Sequence, residues 1–367
     1  MQKPLVFCLT PVKNEAWILE RFLNCASLWA DQIIVADQGS TDGSKEIAAK
    51  FPKVITIDNP STVYHEIDRQ DLVAHAVPAG GLRYGFHGAQ VGRKAAFAEA
   101  RRTPGPKVLL ALDADEFLSA NFLTSPEWQS ILNAPPGTAI SFQWPTIDAN
   151  VSGLSFFDFK AEMTAGFVDD GSPHQGLTIH SMRVPVPPGC PTLALTQIKL
   201  MHYCRMDRNR FESRIRWYQC FEYLSDKKRP IELYRSYHPV FTGPASVFKP
   251  VPSDWTQGYE ERGIDVSSVN RTGIYPWDEN VLGYFGEFGL DKFRRLPIWD
   301  VDWAKIHRDL YHQKQIKPYH DPRSLFEKLI HRWLKATQHY FSPWANPTSG
   351  GKFVCKCVQK ILGLLGW

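Results

Sequence analysis

The sequence predicts an α/β fold: a mostly parallel central sheet flanked by helices, then a C-terminal helical and irregular extension. Two observations carry this. Short apolar runs at 5–9 (LVFCL), 32–36 (QIIVA), 53–57 (KVITI) and 108–112 (VLLAL) alternate with helix-patterned stretches over the first 120 residues. The run at 108–112 is apolar on both faces, as a strand covered by helices on each side must be. With 367 residues, 43% hydrophobic and 22% charged, the chain can fill one large α/β domain with additions, or two domains.

In order along the chain, the strand at 5–9 leads into an amphipathic helix over 15–29, with Asn14 as its expected N-cap. The strand at 32–36 leads into a short helix over 44–51 that Thr41 or Asp42 can cap, and a third strand follows at 53–57. Residues 60–87 have no period, carry His65, His75, His87 and Gly80-Gly81, and have the length of a functional loop or lid. A helix over 93–102 precedes the strand at 108–112. Beyond about 140 the pattern becomes strands broken by Pro and Gly, then a helix over 208–224. Residues 225–320 are rich in Pro, Trp and Tyr, and the tail from 323 holds two amphipathic patterns split by 343–351. The expected organisation is 1–205, 206–322 and 323–367, without internal repeats.

Composition excludes several classes. No apolar run approaches the ~20 residues that a spanning helix needs. Residues 1–11 lack an export h-region, so the expected location is cytoplasmic. Seven scattered cysteines make no disulfide framework, and Cys355 and Cys357 have no partners at metal-binding spacing. From Arg323 onward seven bases face Glu327 alone, a net +6, which leaves −2 on the first 322 residues. A mildly acidic body argues against nucleic acid as a partner.

Ligands of an open parallel sheet bind beyond the carboxyl ends of its strands. Four loops fall there: Thr10 to Glu15, Asp37 to Gly43, the segment from Asp58, and Asp113-Ala114-Asp115-Glu116. The first has no Gly and so no dinucleotide turn, and Gly39 to Lys45 misses the phosphate-loop spacing. These loops are acidic, and would repel a bare polyphosphate unless a divalent cation came with it. Asp113 and Asp115, at i and i+2 of an extended segment, can both approach one hard ion, the substrate's oxygens completing the shell. Asp37 and Asp42 can accept from ribose hydroxyls or a base N–H, and are equally good turn formers.

Val12-Lys13-Asn14-Glu15-Ala16, the run from Ile33 to Ser44 and Ala111-Leu112-Asp113-Ala114-Asp115-Glu116-Phe117 resemble the family-two glycosyltransferases of the GT-A fold. The subgroup most similar is bacterial-type, with a His-Tyr pair after the nucleotide domain, here His202-Tyr203, and the resemblance covers roughly 3–220. It implies a GT-A (Rossmann-like) domain and inverting transfer of a sugar from a nucleotide-diphosphate donor to a hydroxyl, with Mn2+ or Mg2+. By the same resemblance, Pro11, Asn14 and Glu15 line base and ribose, Asp42 binds the base, and Arg93 approaches the diphosphate. Lys94 stands where the family often has Asn after that Arg, so an exposed helix cation is the other reading of Arg93. Asp113 and Asp115 hold ribose and metal, and His202 completes the metal or diphosphate site or is a core histidine beside Ile198 and Leu200. Family precedent seeks the catalytic base among Asp170, Asp169 and Glu162, though Asp169-Asp170-Gly171 is also an ordinary turn.

Arg205, Arg208, Arg210, Arg214 and Arg216 read as a solvated helix face that can also meet phosphates or an anionic acceptor. In 352–367, Lys352, Lys356 and Lys360 form one stripe, while Phe353, Cys357, Ile361 and Leu365 form another beside Val354, Val358 and Leu362. This pattern fits an interfacial helix on an anionic membrane, the inner face for a cytoplasmic protein, with a glycan or lipid-linked acceptor. Docking of the apolar stripe on the protein's own core is the alternative. Two rival functions remain at this level: a metal-dependent phosphohydrolase, and a non-catalytic carbohydrate-binding or scaffold protein.

Overall fold

The computed structural model describes residues 3–58, 87–150, 153–157, 161–173, 182–225, 228–238, 247–271, 273, 275–311, 319–341 and 350–367. The expectations on 60–86, His65 and His75 among them, lie outside the described residues. The chain forms two compact units. The first is built from described residues of Met1–Val63, Gly85–Asp207 and Phe248–Arg271, the second from those of Arg208–Val247 and Thr272–Trp367.

In the first unit, β1 (Leu5–Val12), α1 (Leu19–Ala26), β2 (Gln32–Asp37), α2 (Ser44–Ala48), β3 (Val54–Asp58), α3 (His87–Arg102) and β4 (Lys107–Ala111) give the expected alternation. β1 pairs in parallel with both β2 and β4, and β2 in parallel with β3. Strand alternation splits β1 between two layers. Val6 and Cys8 join the cluster containing Phe22 and Leu23 of α1, whereas Phe7 and Leu9 pack with Ala96, Phe97 and Ala100 of α3. All these side chains are buried, which is why the strands read as apolar on both faces.

The parallel order stops at β4. Its other neighbour, β9 (Glu162–Val168), runs antiparallel to it and to β6 (Ala139–Gln143). The continuous sheet order is β11 (Lys249–Pro250), β8 (Gly153–Phe157), β7 (Thr146–Asn150), β10 (Thr192–His202), β6, β9, β4, β1, β2, β3. The sheet is therefore mixed beyond its leading strands, not mostly parallel throughout. No helical pattern separates β7 from β8, and such short connections force antiparallel neighbours. Gly166 of β9 sits where a Cβ would come within 2.7 Å of Leu110 and 2.8 Å of Ile140, so that central position has room only for glycine. A three-residue strand, β5 (Glu116–Leu118), pairs antiparallel with the end of β10. Short α4 (Pro126–Asn133) follows, opened by Ser125, whose hydroxyl accepts from Glu127 N–H.

The second unit is helical: α5 (Arg208–Ser225), α6 (Pro230–Tyr237), α8 (Pro276–Phe288), α9 (Trp303–Tyr311), α10 (Leu325–Thr337) and α11 (Gly350–Leu364), with α7 (Gln257–Glu260) belonging to the first unit. Aromatic packing organises it: Phe285 stacks on Trp299 at 5.2 Å and meets Trp303 edge-on at 5.1 Å. The arginines of α5 are a solvated face only in part, with Arg208 exposed and Arg214 half-buried. Arg210 and Arg216 are buried; Arg210 lies over Trp277, and Arg216 pairs with buried Asp278 at 3.1 Å. In α11 the expected apolar stripe divides. Cys355 and Leu362 are buried with Val358 beside them, and Leu362 and Trp367 join Ile330 and Leu334 of α10 in one core. Phe353, Val354, Ile361, Leu364 and Leu365 stay exposed. No described helix is long and apolar enough to cross a membrane.

Candidate functional site

The β1–α1 turn and the Asp37–Gly43 loop are bound into one piece. Asn14 takes φ +55°, a left-handed conformation that Asn tolerates, and its Oδ1 accepts from Thr41 N–H at 2.8 Å. It therefore does not cap α1, which begins only at Leu19 behind Ile18. Lys13 Nζ donates to the carbonyls of Gln38 and Gly39, and Glu15 N–H donates to Ser44 Oγ. Asp37 is buried, and its carboxylate accepts from Gly39 and Ser40 N–H. Asp42 accepts from Ala16 N–H at 2.9 Å and from Ser44 N–H at 3.1 Å; Gly43, at φ +94°, occupies the N-cap position of α2. Both aspartates thus build the loop, the turn chemistry their sequence context offered.

Beyond β4 the chain bends at once. Glu116 N–H donates to Asp113 carbonyl at 3.0 Å, so 113–116 is a tight turn, and Asp113 and Asp115 are not the extended i, i+2 pair expected. The turn starts β5, and the β5–β10 register sets His202 opposite Glu116. His202 Nε2 consequently lies 3.5 Å from Asp115 Oδ2, and its ring stacks on Trp144 at 4.6 Å. Tyr203 N–H donates to Asp115 carbonyl at 2.7 Å, while its ring packs on Phe117 inside the core. Burial would lower the His202 pKa, but Cys204 and Asp115 outweigh it and raise it well above the ordinary value.

Asp113 is clamped between two guanidiniums. Arg93 Nη2 donates to one oxygen at 2.5 Å and Arg183 Nη2 to the other at 3.0 Å. Arg93 is buried, which corrects the reading of an exposed helix cation. Glu116, fully buried, receives Arg183, Trp144 Nε1 at 2.8 Å and the Asp113 N–H at 3.0 Å. Burial opposes ionisation of Asp113, yet Arg183 and Arg93 hold its pKa below the ordinary value. Burial lowers the Arg93 pKa, whereas for Arg183 the carboxylates of Asp113 and Glu116 overcome burial and raise it. The acids of this rim are thus largely neutralised from within.

Pro11, Asn14, Glu15, Asp37, Asp42, Asp113, Asp115 and His202 all lie at the carboxyl ends of β1, β2, β4 and β10, with Arg93 reaching in from α3. Asp169 and Asp170 do not. Asp169 N–H bonds to Lys107 carbonyl, at the start of β4, and its carboxylate grips Arg101; Asp170 accepts from Ser172 N–H in the same turn. Both stand at the opposite end of the sheet. Glu162, the third acid considered, opens β9 opposite Gln143 and so shares the edge with Trp144. Arg183, Glu116 and Trp144 were not assigned roles from sequence. Glu116 had a local signal, three residues after Asp113 and before an apolar strand, whereas Arg183 had none.

Among the described residues no three His, Cys, Asp or Glu side chains converge as a ready-made metal cage. The Asp115–His202 pair is the available start of one: a carboxylate and an imidazole, with further positions left to a ligand's oxygens.

The motif resemblance holds over the first part of the chain. Residues 8–77 match the family described as Glycosyl transferase family 2. That segment holds the Pro11–Glu15 turn and the Asp37–Gly43 loop. No curated protein matches the chain. Among solved structures, glucosyl-3-phosphoglycerate synthase from Mycobacterium tuberculosis, in complex with Mn2+, UDP and glucosyl-3-phosphoglycerate, is 19% identical, covers 39% of this chain and 44% of its own, and has a TM-score of 0.23. Mannosyl-3-phosphoglycerate synthase from Rubrobacter xylanophilus is 18% identical over 41% of this chain and 42% of its own, with a TM-score of 0.22. S. aureus TarS 1–349 is 10% identical over 80% and 81%, with a TM-score of 0.33. The chain thus spans less than half the length of the two synthases.

Proposed function

We propose that the first unit is a metal-dependent glycosyltransferase that moves a sugar, with inversion, from a nucleotide-diphosphate donor to a hydroxyl of a glycan or lipid-linked acceptor. The observation that carries this is the meeting of Asp115 and His202 beside an arginine-clamped Asp113, at the edge where the family-two segment ends its strands. Pro11, Asn14, Glu15, Asp37 and Asp42 would shape the nucleoside pocket, mostly through the backbone they hold. Asp115 and His202 fit Mn2+ or Mg2+, which when bound supplies positive charge to the departing diphosphate. Arg93 and Arg183, both paired with Asp113, hold a fixed arrangement of charge there, and Asp113 fixes both guanidiniums on the ribose side of the pocket. Of the three acids considered as base, Glu162 alone is on this edge, and the proposal gives it the acceptor's proton.

In the second unit, the exposed Phe353, Ile361 and Leu365 with Lys356 and Lys360 support peripheral attachment to an anionic membrane, in keeping with a lipid-linked acceptor. A phosphohydrolase is disfavoured by the end of β1, where Thr10 and Pro11 stand in place of a nucleophilic Asp.

The test is a panel of nucleotide sugars screened for thermal stabilisation and turnover with and without Mn2+. One base class should stabilise strongly and only with metal, and Asp115→Ala should abolish the stabilisation and lower turnover by about 10³-fold. Stabilisation unchanged in Asp115→Ala removes the metal assignment.

A further inference from the structure

The second unit contains a cavity of about 600 Å3 that shares no residue with the donor site. Six bases line it: Arg208, Arg216, Arg323, Lys328, Arg332 and Lys335. Three acids, Glu212, Asp300 and Asp321, share the lining. Lys328, Arg332 and Lys335 recur at i, i+4 and i+7 of α10, so one face of that helix forms a cationic wall.

The pairing inside is incomplete in a directed way. Glu212 serves Arg208 at 2.8 Å, and Asp321 is shared by Arg323 at 2.9 Å and Lys328 at 3.4 Å. Arg216 is answered from behind the lining by Asp278. Arg332 and Lys335, both exposed, have no side-chain ion pair with any described residue. The two lining histidines add no charge at neutral pH: burial pushes His238 down to about 4 and lowers His331. Even with Asp278 included, six bases face four acids.

Gln219 supplies the second, independent observation. It is 1% exposed, lines the same cavity, and its Oε1 has no hydrogen-bond partner. A buried acceptor left unpaired forfeits the hydrogen bond it would make in water. The surrounding bases leave it unmet, so it calls for a donor, and a ligand hydroxyl is one. Tyr234 and Trp299 give the cavity aromatic walls.

We propose that this cavity binds a hydroxyl-bearing phosphate ester of the sugar-phosphate or polyol-phosphate class. Arg332 and Lys335 take the phosphate, Gln219 Oε1 accepts from a hydroxyl, and the volume suits a ligand of one or two sugar units, within the range of about 300–1,000 Å3 usual for small-molecule sites. Every residue of this site belongs to the second unit.

Titration calorimetry on the full chain tests it, with glycerol 3-phosphate, glucose 1-phosphate, inorganic phosphate, glucose and glucuronate as probes. The two esters should bind, more tightly than inorganic phosphate, and glucose should not bind. The double variant R332A/K335A, both positions exposed, should keep its melting temperature and weaken the esters by about tenfold or more, while R332K/K335R restores them. Q219M should shrink the preference for the esters over inorganic phosphate. Metal-dependent stabilisation by a nucleotide sugar should be unchanged in R332A/K335A, which separates this site from the donor site. Phosphatidylglycerol vesicles that compete with glycerol 3-phosphate assign the ester to a lipid headgroup; vesicles that do not compete assign it to a soluble ligand, and either result keeps the site. Absence of heat with both esters, glucuronate binding as tightly as glucose 1-phosphate, or unaltered ester affinity in R332A/K335A overturns it.

Discussion

Arg183 in the first unit and Arg332 in the second are both guanidinium groups at a candidate site, yet their surroundings are opposite. Arg183 is buried and saturated by Asp113 and Glu116; Arg332 is exposed on a helix face where bases outnumber acids. A saturated arginine fixes geometry before any ligand arrives. An arginine in surplus raises local potential and draws the ligand that will pair with it. The first site is therefore preorganised, and the second is charged for capture.

The sharpest way to break this contrast is to delete each arginine. Arg183→Ala leaves Glu116, with no exposed surface, without its cation, and should cost about 3–5 kcal/mol in urea unfolding. Arg332→Ala should stay within about 0.5 kcal/mol. Equal losses in the two variants would show that Arg183 is not the structural keystone its burial implies.

How much of this was legible in the sequence follows the same division. The strands β1, β2 and β4 were readable because burial on both faces leaves an apolar signature within five residues, and half-exposed β3 because Val54, Ile55 and Ile57 are β-branched. Asp113, Asp115 and His202 were readable as motifs, but not their meeting. That depends on β5, a three-residue strand too short to show a period, which folds the turn back onto the end of β10. Arg183 was invisible because its partners are 67 and 70 residues away. Asp169 and Asp170 were misplaced because the antiparallel entry of β9 sends its end to the opposite edge, and no residue pattern announces strand direction. The buried arginines of α5 looked solvated because helical charge spacing is the same whether Arg216 meets water or Asp278. In α11 two apolar stripes compete, and only packing against α10 selects the one containing Leu362.

Acid titration extends the comparison to the second unit. His238 stacks on Tyr234 at 4.0 Å and is held near pKa 4 by burial, with His331 and Arg235 adding to the depression and Tyr234 carbonyl and Glu212 opposing it. A histidine with a lowered folded value contributes stability that is complete above its unfolded pKa of about 6.5 and is lost as pH falls from there towards 4. The loss should reach on the order of 2–3 kcal/mol across that window. Melting temperatures of wild type and His238→Gln at about pH 7.5 and pH 5 check it. The variant should show the shallower dependence, and parallel curves would detach His238 from the acid response.

The smallest expected effect separates backbone from ligand at the first site. Asn14 holds φ +55° and gives its Oδ1 to Thr41 N–H. Asn14→Gly relieves the conformation but loses the bond, for about 1 kcal/mol, whereas Asn14→Ala also meets the left-handed penalty, for about 2 kcal/mol. Unfolding in urea orders the two variants. Donor affinity then decides whether the loop acts only as scaffold. If Asn14 merely joins the β1 turn to the Asp37–Gly43 loop, donor binding should weaken in step with the two stability losses, Ala below Gly. If contact of its side chain with the nucleoside dominates instead, Gly and Ala should weaken binding equally, because both lack the amide whatever their backbone. The preorganisation seen at Arg183 predicts the first pattern, with the loop shaped by its own hydrogen bonds before the nucleotide enters.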